Sequence, residues 1–529
     1  MSNIKVLDVT LRDGGCVNNF NFGQIYMEKI LAAQEASGVD MIEMGYIDEK
    51  NGSAFGRTQY CNVEVISEHI LTHKKKGVTY VAMMDFGKFN TDNLCPRSEK
   101  TIDGLRVAFH KKDMHNMIAV CKQILAKGYQ VYIQPMITLR YSDTELLELI
   151  SLVNSELPMA SGFYIVDTFG EMRPNDMQRM MNLVDHNLIP SMPMGFHSHN
   201  NIQMSYSNAC AMLQFPTKRN LMIDSSIMGM GKGAGNLNTE LLLEHLNVFY
   251  NKNYNIGPLL EVMDNVINQL HSEFYWGYAP EYYLSSANHC TPSYASHFYN
   301  KHQLPIDQVA ELLSLIAEDK KISFDKNYAE DLWRSYNESK QVDDKSVVGE
   351  LKSTFKNKRV LLVAPGKSII QYRNVIIELL ESKDVVSVAL NHFDQFDTDF
   401  ILATRQDICE AAHAANKRVI TTSNVSKGIR GNVLILNYKN WITISDNNTY
   451  DSSSVIALNL LKACGVKEIL LAGFDGFMVN INENYFDPNM RHPVSVEQVS
   501  QLNHFYNQFI ADVKSSGISV EFITPSKYE

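Results

Sequence analysis

Gly195-Phe196-His197-Ser198-His199-Asn200-Asn201 places two histidines one residue apart at the end of an apolar run that reads as a β-strand. Along an extended chain the side chains at i and i+2 leave the same face, so His197 and His199 can address one cation while Ser198 points away. Far upstream, Thr10-Leu11-Arg12-Asp13-Gly14 closes another apolar run, and Asp13 would complete a face of two imidazoles and one carboxylate. Such a face leaves coordination positions open for a substrate with two oxygen donors. Open metal sites do chemistry, whereas closed ones hold folds together.

The surrounding sequence has a strand–helix rhythm. Apolar, β-branched runs recur at Ile4 to Val9, Met41 to Tyr46, Thr79 to Asp85, Leu105 to His110, Gln130 to Ile137, Gly162 to Thr168, Met194 to His199 and Leu221 to Met228, separated by stretches with helical periodicity. Eight such units on this scale suit a closed (β/α)8 TIM barrel of roughly 250 residues. An open doubly wound sheet is the competing fold. The barrel is preferred because Arg12, Asp13, Glu43, Asp85, His110, Asp167, His197 and His199 all fall at strand ends, which a barrel gathers on one rim and an open sheet spreads along a line. After Met228 a glycine-rich loop, Gly229-Met230-Gly231-Lys232-Gly233-Ala234-Gly235-Asn236, leads into a helix from Leu241 to Phe249; there Asn236 could reach the metal through its amide oxygen.

With 529 residues the chain needs two or three domains. Its 45% hydrophobic and 20% charged residues are a globular composition, and a net charge of -11 argues against nucleic acid or an anionic membrane as the main partner. No apolar stretch approaches the roughly 20 residues of a membrane span. Asp8, Arg12 and Asp13 interrupt the only apolar run near the N-terminus, so no signal peptide is read and a cytoplasmic location is expected. The eight cysteines lack CxxC spacing, which indicates neither a disulfide framework nor a zinc ribbon.

Leu11-Arg12-Asp13-Gly14, Gly195-Phe196-His197-Ser198-His199-Asn200 and Gly231-Lys232-Gly233-Ala234-Gly235-Asn236-Leu237-Asn238-Thr239-Glu240 resemble, in order, the three signatures of the DRE-TIM metallolyase superfamily. That superfamily holds hydroxymethylglutaryl-CoA lyases, isopropylmalate and homocitrate synthases and 4-hydroxy-2-oxovalerate aldolases. The resemblance covers about residues 4 to 250. It implies that Asp13, His197 and His199 are ligands of a divalent metal (Mn²⁺ first, with Mg²⁺, Zn²⁺ or Co²⁺ as alternatives), that Asn236 is an added ligand, and that Arg12 steadies an enolate. Leu-Arg-Asp-Gly-Gly leans toward the aldolases, and so does Gly277-Tyr278-Ala279-Pro280-Glu281-Tyr282, similar to an aldolase segment whose tyrosine touches the substrate hydroxyl; Tyr282 is the matching residue. One departure stands out. Where aldolases carry a histidine base three residues after the metal aspartate, this chain has Cys16, and Cys16, a metal-bound water or His289 are the substitutes. Glu43 is read as a tie on Arg12 through a charge-assisted hydrogen bond. Asp167 either orients ligands or caps the next helix.

Beyond the barrel domain (1–250), residues 251–345 read as a helical extension and linker, with amphipathic stretches at Pro258 to Leu270 and Pro305 to Ala317 and a polar linker at Glu338 to Lys352. Its aromatics, Phe274 to Tyr283, either roof the barrel mouth, form the interface of a homo-oligomer or fill core. Residues 350–529 read as a Rossmann-like α/β domain with strands at Arg359 to Val363, Val385 to Leu390, Phe400 to Ala403, Val419 to Thr422, Val433 to Leu436 and Ile469 to Leu471. Its first turn, Pro365-Gly366-Lys367-Ser368, suits an anion, so Gly366, Lys367 and Ser368 are candidates for a nucleotide or nucleotide-sugar. It is not a P-loop, since Leu361 occupies the position of the first glycine. The turn and Leu471-Ala472-Gly473-Phe474-Asp475 are weakly similar to nucleotide-binding domains of the sialyltransferase-like and pterin pyrophosphokinase-like kind, and a docking domain is an equal alternative.

The expected function is a metal-dependent aldolase that cleaves or forms a C–C bond in a 4-hydroxy-2-oxo acid, with pyruvate or a related 2-oxo acid plus an aldehyde as partners. The alternatives are a Claisen-type, acyl-CoA-dependent synthase on the same metal and a non-catalytic scaffold barrel.

Overall fold

The computed structural model describes residues 3–528 apart from 51, 303, 426–430, 432, 446–447, 481–482, 488–489 and 491–495. The chain divides into two compact units, one running through Ala295 with Lys321–Ser323, the other comprising Ser296–Lys320 and the residues from Phe324 onward.

In the first unit, β1 (Ile4–Asp8), β2 (Met41–Ile47), the two-residue β3 (Gln59–Tyr60), β4 (Thr79–Asp85), β5 (Gly104–Phe109), β6 (Gln130–Pro135), β7 (Gly162–Asp167), β8 (Met194–Ser198) and β9 (Leu221–Ser225) are all parallel. β1 pairs with both β2 and β9, which closes eight strands into a barrel, and β3 lies outside the circuit on β2. All eight barrel strands fall where the apolar runs place them.

Strict alternation builds two cores. Residues such as Val6, Ile42, Leu105, Ile133, Phe163, Phe196 and Ile223 face outward into the layer between sheet and helices. Their neighbours face inward, where Leu7, Val9, Met41, Val81, Tyr132, Tyr164, Val166 and Met222 fill the interior as an apolar plug. Helices follow seven of the eight barrel strands; the one over Asp143–Glu156 begins with a capping box in which Ser142 and Glu145 satisfy each other's backbone amides.

Between β4 and β5 the expected helix is absent from the described residues, and only the turn Thr91–Asn93 intervenes. Asn90-Thr91-Asp92-Asn93 and Pro96 favour turns over helix, and Lys127 ties the segment down by donating to the carbonyls of Thr91, Asp92 and Leu94. The helix expected from Pro258 to Leu270 is present as a continuous helical run, Gly257–Val262 and Asn268–Glu273 joined through a π-turn at Met263–Ile267.

The second unit carries a seven-stranded parallel sheet: β10 (Arg359–Val363), β11 (Val385–Leu390), β12 (Phe400–Ala403), β13 (Val419–Thr422), β14 (Val433–Leu436), β17 (Glu468–Ala472) and β18 (Ser519–Phe522), with a separate hairpin of β15 (Thr443–Ser445) and β16 (Asn448–Tyr450). Its order, β14-β13-β12-β11-β10-β17-β18, reverses direction between β10 and β17, the arrangement of a doubly wound sheet. β18 escapes the apolar pattern because it is a short edge strand whose side chains alternate toward solvent. Much of the stretch read as a linker is instead the helix Lys345–Phe355, whose buried Leu351 and Phe355 pack on the sheet's core. No helix among the described residues is long and apolar enough to cross a membrane.

Gly195 shows how tightly the barrel interior is filled. A Cβ there would lie 2.5 Å from the Tyr164 ring. Gly195→Ala is therefore expected to cost about 1–3 kcal/mol by overpacking, read as a lower urea midpoint; an unchanged midpoint would show that Tyr164 has room to move.

Candidate metal centre

Above the apolar plug the inward positions become polar. Glu43 on β2, Arg106 on β5, His197 on β8 and Asp224 on β9 are all buried, Arg106 and Glu43 completely. They form a chain of charges. Arg12 donates through Nε to Glu43 Oε2 at 2.7 Å; the same oxygen lies 2.9 Å from Arg106 Nη1; Arg106 Nη2 pairs with Asp224 Oδ2; and Asp224 Oδ2 lies 2.9 Å from His197 Nδ1. The Arg106 guanidinium also sits 4.8 Å from the centroid of Tyr164, the ring accommodated by Gly195.

This chain sets the chemistry of the histidines. With Asp224 holding Nδ1 of His197, Nε2 is the nitrogen left for a ligand. His199 follows at the end of the strand, with Nδ1 3.8 Å from Asp13 Oδ2 and without a hydrogen-bond partner among the described residues. One ligand atom from each of Asp13, His197 and His199 lies within 4.8 Å of the others. Asn236 donates through Nδ2 to Asp13 Oδ2 at 2.7 Å, and its Oδ1 has no partner among the described residues. Buried, unpaired nitrogen and oxygen acceptors beside a carboxylate are the donor set a divalent cation needs.

Charge states agree with that use. Burial favours the neutral form of Asp13, but Arg12 and the two imidazoles more than offset it and hold the carboxyl well below the usual range. Burial pushes the His199 pKa down to about 4 against the pull of Asp13, so the ring is neutral near pH 7. Arg12 donates through Nη1 to Asp13 Oδ1 at 2.5 Å and keeps Nη2 without a partner among the described residues.

The glycine-rich loop supplies the wall. A Cβ on Gly231 would lie 2.4 Å from Asn236 Nδ2 and 2.7 Å from Asp13 Oδ2, so only glycine lets the loop pass this close to the carboxylate. Trp276, buried, donates through Nε1 to Met228 O at 3.0 Å and backs the same loop; Tyr275, Tyr278 and Tyr283 stay exposed.

Other candidates are placed as follows. Cys16 ends the turn Gly14–Cys16 beside Asp13; its residue opens to solvent, yet desolvation around the sulfur and the negative Asp13 push the thiol up to about 12. Asp167 accepts from the amides of Glu171 and Met172 at 2.9 and 3.0 Å, with burial pushing its carboxyl up to about 7. Through these bonds it caps the backbone of the loop after β7. Asp85 accepts from Tyr46, and His110 sits half-buried at the end of β5. Tyr282 lies half-buried in the first turn of the helix Pro280–Ala287. His289, beyond that helix, meets Glu171 Oε2 at 2.7 Å through Nδ1, and Arg140 grips the same carboxylate at 2.8 and 3.0 Å.

Gly366, Lys367 and Ser368 belong to the second unit. There Ser368 donates both its amide, at 2.8 Å, and its hydroxyl, at 2.5 Å, to Asp475, while the Gly366 amide donates to Gly473 O at 3.2 Å. The amides of Gly366 and Ser368 and the Ser368 hydroxyl are thus engaged by the loop after β17, while Lys367 lies exposed. Arg106 and Asp224 were not among the sequence candidates. Their signal was a charged residue at an inward position of an apolar strand, Arg106 between outward Leu105 and Val107 and Asp224 after outward Leu221 and Ile223.

The HMGL-like family model matches residues 3–266. Among curated proteins, the chain is similar to 4-hydroxy-2-oxovalerate aldolase 2 of Comamonas testosteroni, 28% identical over 246 residues that cover 45% of this chain and 67% of that one. It is also similar to the 4-hydroxy-2-oxovalerate aldolase of Geobacillus genomosp. 3, 27% identical over 250 residues, 46% and 70% of the two chains. Among solved structures, the HMG-CoA lyase of Bacillus subtilis aligns over 51% of this chain and 93% of its own, at 16% identity and a TM-score of 0.40.

Replacing Arg106 by Met would strand two carboxylates, Glu43 and Asp224, in the barrel interior. The expected loss is about 3–5 kcal/mol in chemical denaturation; a loss under about 1 kcal/mol, the scale of an exposed pair, would show that the charge chain is not what holds this layer.

Proposed function

Residues 3–266 form a barrel of the HMGL-like family, and we propose that this barrel is a divalent-metal-dependent aldolase acting on a 4-hydroxy-2-oxo acid, with pyruvate or a related 2-oxo acid and an aldehyde as the other partners. The observation that carries the reading is the convergence of Asp13, His197, His199 and Asn236, from three distant stretches of chain, beside a guanidinium with an unused donor. Breaking the C–C bond next to a ketone leaves negative charge on oxygen, and stabilising that charge is the main demand on the site. A divalent cation held by these four residues, Mn²⁺ first among the candidates, would supply Lewis-acid stabilisation of that oxygen.

The chain's own groups do the rest. Arg12 Nη2 is free to donate toward the developing charge, and Glu43 fixes the guanidinium so that no reorganisation is needed at that moment. Glu43 is in turn held by Arg106, and Asp224 orients His197. Lys232, on the exposed edge of the glycine-rich loop, adds positive charge near Cys16 and His199 and suits a substrate carboxylate. The 4-hydroxyl proton must pass to a base. Cys16, with its pKa pushed up to about 12, holds its own proton at neutral pH and is the weakest of the three substitutes. His289 has the form of a working base, because Glu171 engages Nδ1 and leaves Nε2 to accept a proton. Tyr282 remains the candidate for touching the substrate hydroxyl.

The test is pyruvate release from a panel of 4-hydroxy-2-oxo acids with Mn²⁺, coupled to lactate dehydrogenase. Turnover that a chelator abolishes is expected. Thiol release from acetyl-CoA with a 2-oxo acid would instead mark a Claisen-type synthase, and bound metal without either reaction would mark a scaffold or an unrelated substrate.

Asp13→Asn and His199→Ala are expected to lose the metal by elemental analysis, whereas Arg12→Ala should keep it and lose about 10²–10³-fold in kcat; full activity in the Arg12 variant would refute its role. Metal affinity should fall as the pH approaches about 4, where His199 takes up a proton. Affinity that stayed constant as the pH dropped through and well below that value would remove His199 from the ligand set.

A further inference from the structure

The second unit brings together a separate group of donors. His297 and His302 are five residues apart, a spacing that an α-helix would turn to different faces. Here the intervening His297–Lys301 is a π-turn, a form that appears mostly as a single turn and often at functional sites. As a result both imidazoles present Nε2 to one atom, Oε1 of Glu330, at 2.8 and 3.3 Å, with ring centroids 5.3 Å apart.

Glu330 lies on the helix Lys326–Glu338, whose start is capped by Asp325 accepting from the Tyr328 amide. Three residues along the same face, Trp333 stacks on His302 at 4.0 Å with 20° between planes. His297 packs against Phe324, ring centroids 5.2 Å apart. The side chains of His297, His302 and Glu330 are 9%, 10% and 19% exposed, so the oxygen and two nitrogens meet in largely desolvated surroundings. Asp451, which accepts from the Tyr438 hydroxyl at 3.1 Å, lies within electrostatic reach of His302 and Glu330.

We propose that His297 Nε2, His302 Nε2 and Glu330 Oε1 form a second metal site, independent of the barrel, that takes one zinc-class divalent cation. The donor chemistry fits, since two imidazoles and one carboxylate are a recurrent zinc set that leaves the fourth tetrahedral position to water or another oxygen. The spacing fits as well. Bonds of about 2.0–2.1 Å in a tetrahedron keep ligand atoms roughly 3.3 Å apart, and the two nitrogens stand 2.8 and 3.3 Å from the oxygen. The stacked and packed rings are held in plane before any ion arrives, which reduces the ordering cost of binding.

Lys301 is the competitor. Its ammonium pairs with the same Oε1, and it is 37% exposed, on a flexible stem that can swing into solvent. An ion at this point replaces one positive charge by two and links the His297–His302 turn to the helix Lys326–Glu338.

The experiment uses the full chain carrying Asp13→Asn and His199→Ala, so that the barrel makes no contribution and the two sites are read separately. Titration with Zn²⁺ is expected to give one bound equivalent, X-ray absorption at the zinc edge to give two imidazole ligands, and Co²⁺ to give the intense visible absorption of a tetrahedral site. Adding Glu330→Gln or His302→Ala should abolish that equivalent, or weaken it by more than about 100-fold. Lys301→Met, which removes the competing ammonium and keeps the stem, should tighten zinc by roughly 10-fold, the lower end of what neighbours of metal ligands contribute. Because this variant gains affinity, it answers the question even if a ligand variant fails to fold. No bound zinc in the barrel-disabled chain, zinc indifferent to Glu330 and His302, or affinity unmoved or lowered by Lys301→Met would each overturn the proposal.

Discussion

The candidate site depends on one constraint: charge buried inside a barrel must be paired in place. Arg12, Glu43, Arg106, Asp224 and His197 satisfy it as a chain, each member neutralising or orienting the next. Buried ion pairs of this kind do not stabilise a fold relative to apolar packing, because desolvation costs about as much as the attraction returns. Their value here is geometric. The chain sets the tautomer of His197, fixes the plane of the Arg12 guanidinium and leaves specific atoms without partners where a ligand would meet them.

The sum of those charges is informative. Asp13, Glu43 and Asp224 set three carboxylates against the guanidiniums of Arg12 and Arg106, with His199 held neutral by burial. Counted over those five carboxylates and guanidiniums, the layer holds one negative charge in excess. A divalent cation would reverse that sign, and the mouth would then attract an anionic 2-oxo acid. Asp13 stays ionised within this layer because Arg12 and the two imidazoles outweigh the cost of its burial.

The second unit handles polarity differently. At the reversal between β10 and β17, where doubly wound sheets bind ligands beyond their strand ends, Asp475 fills the first turn by accepting both donors of Ser368. An anion there would have to displace a carboxylate, which is poor design for a phosphate. The denser collection of ligand-type atoms in that unit lies instead where a π-turn aims His297 and His302 at Glu330.

Much of this was legible in the chain. Eight apolar runs marked eight strands because outward residues must meet helices and inward ones the plug, and the His-x-His spacing placed two imidazoles on one face since a strand repeats every two residues. Asp13 and Asn236 were readable from motif order. Other features were decided by tertiary structure alone. Arg106 and Asp224 look like isolated charges in apolar strands until closure brings β2, β5, β8 and β9 around one axis. The helix in place of a linker at Lys345–Phe355 and the engagement of Ser368 by Asp475 turn on partners far along the chain. Local sequence encodes period and turn, which depend on near neighbours; which buried atom finds a partner and which is left for a ligand depends on residues that only folding brings within a few ångströms.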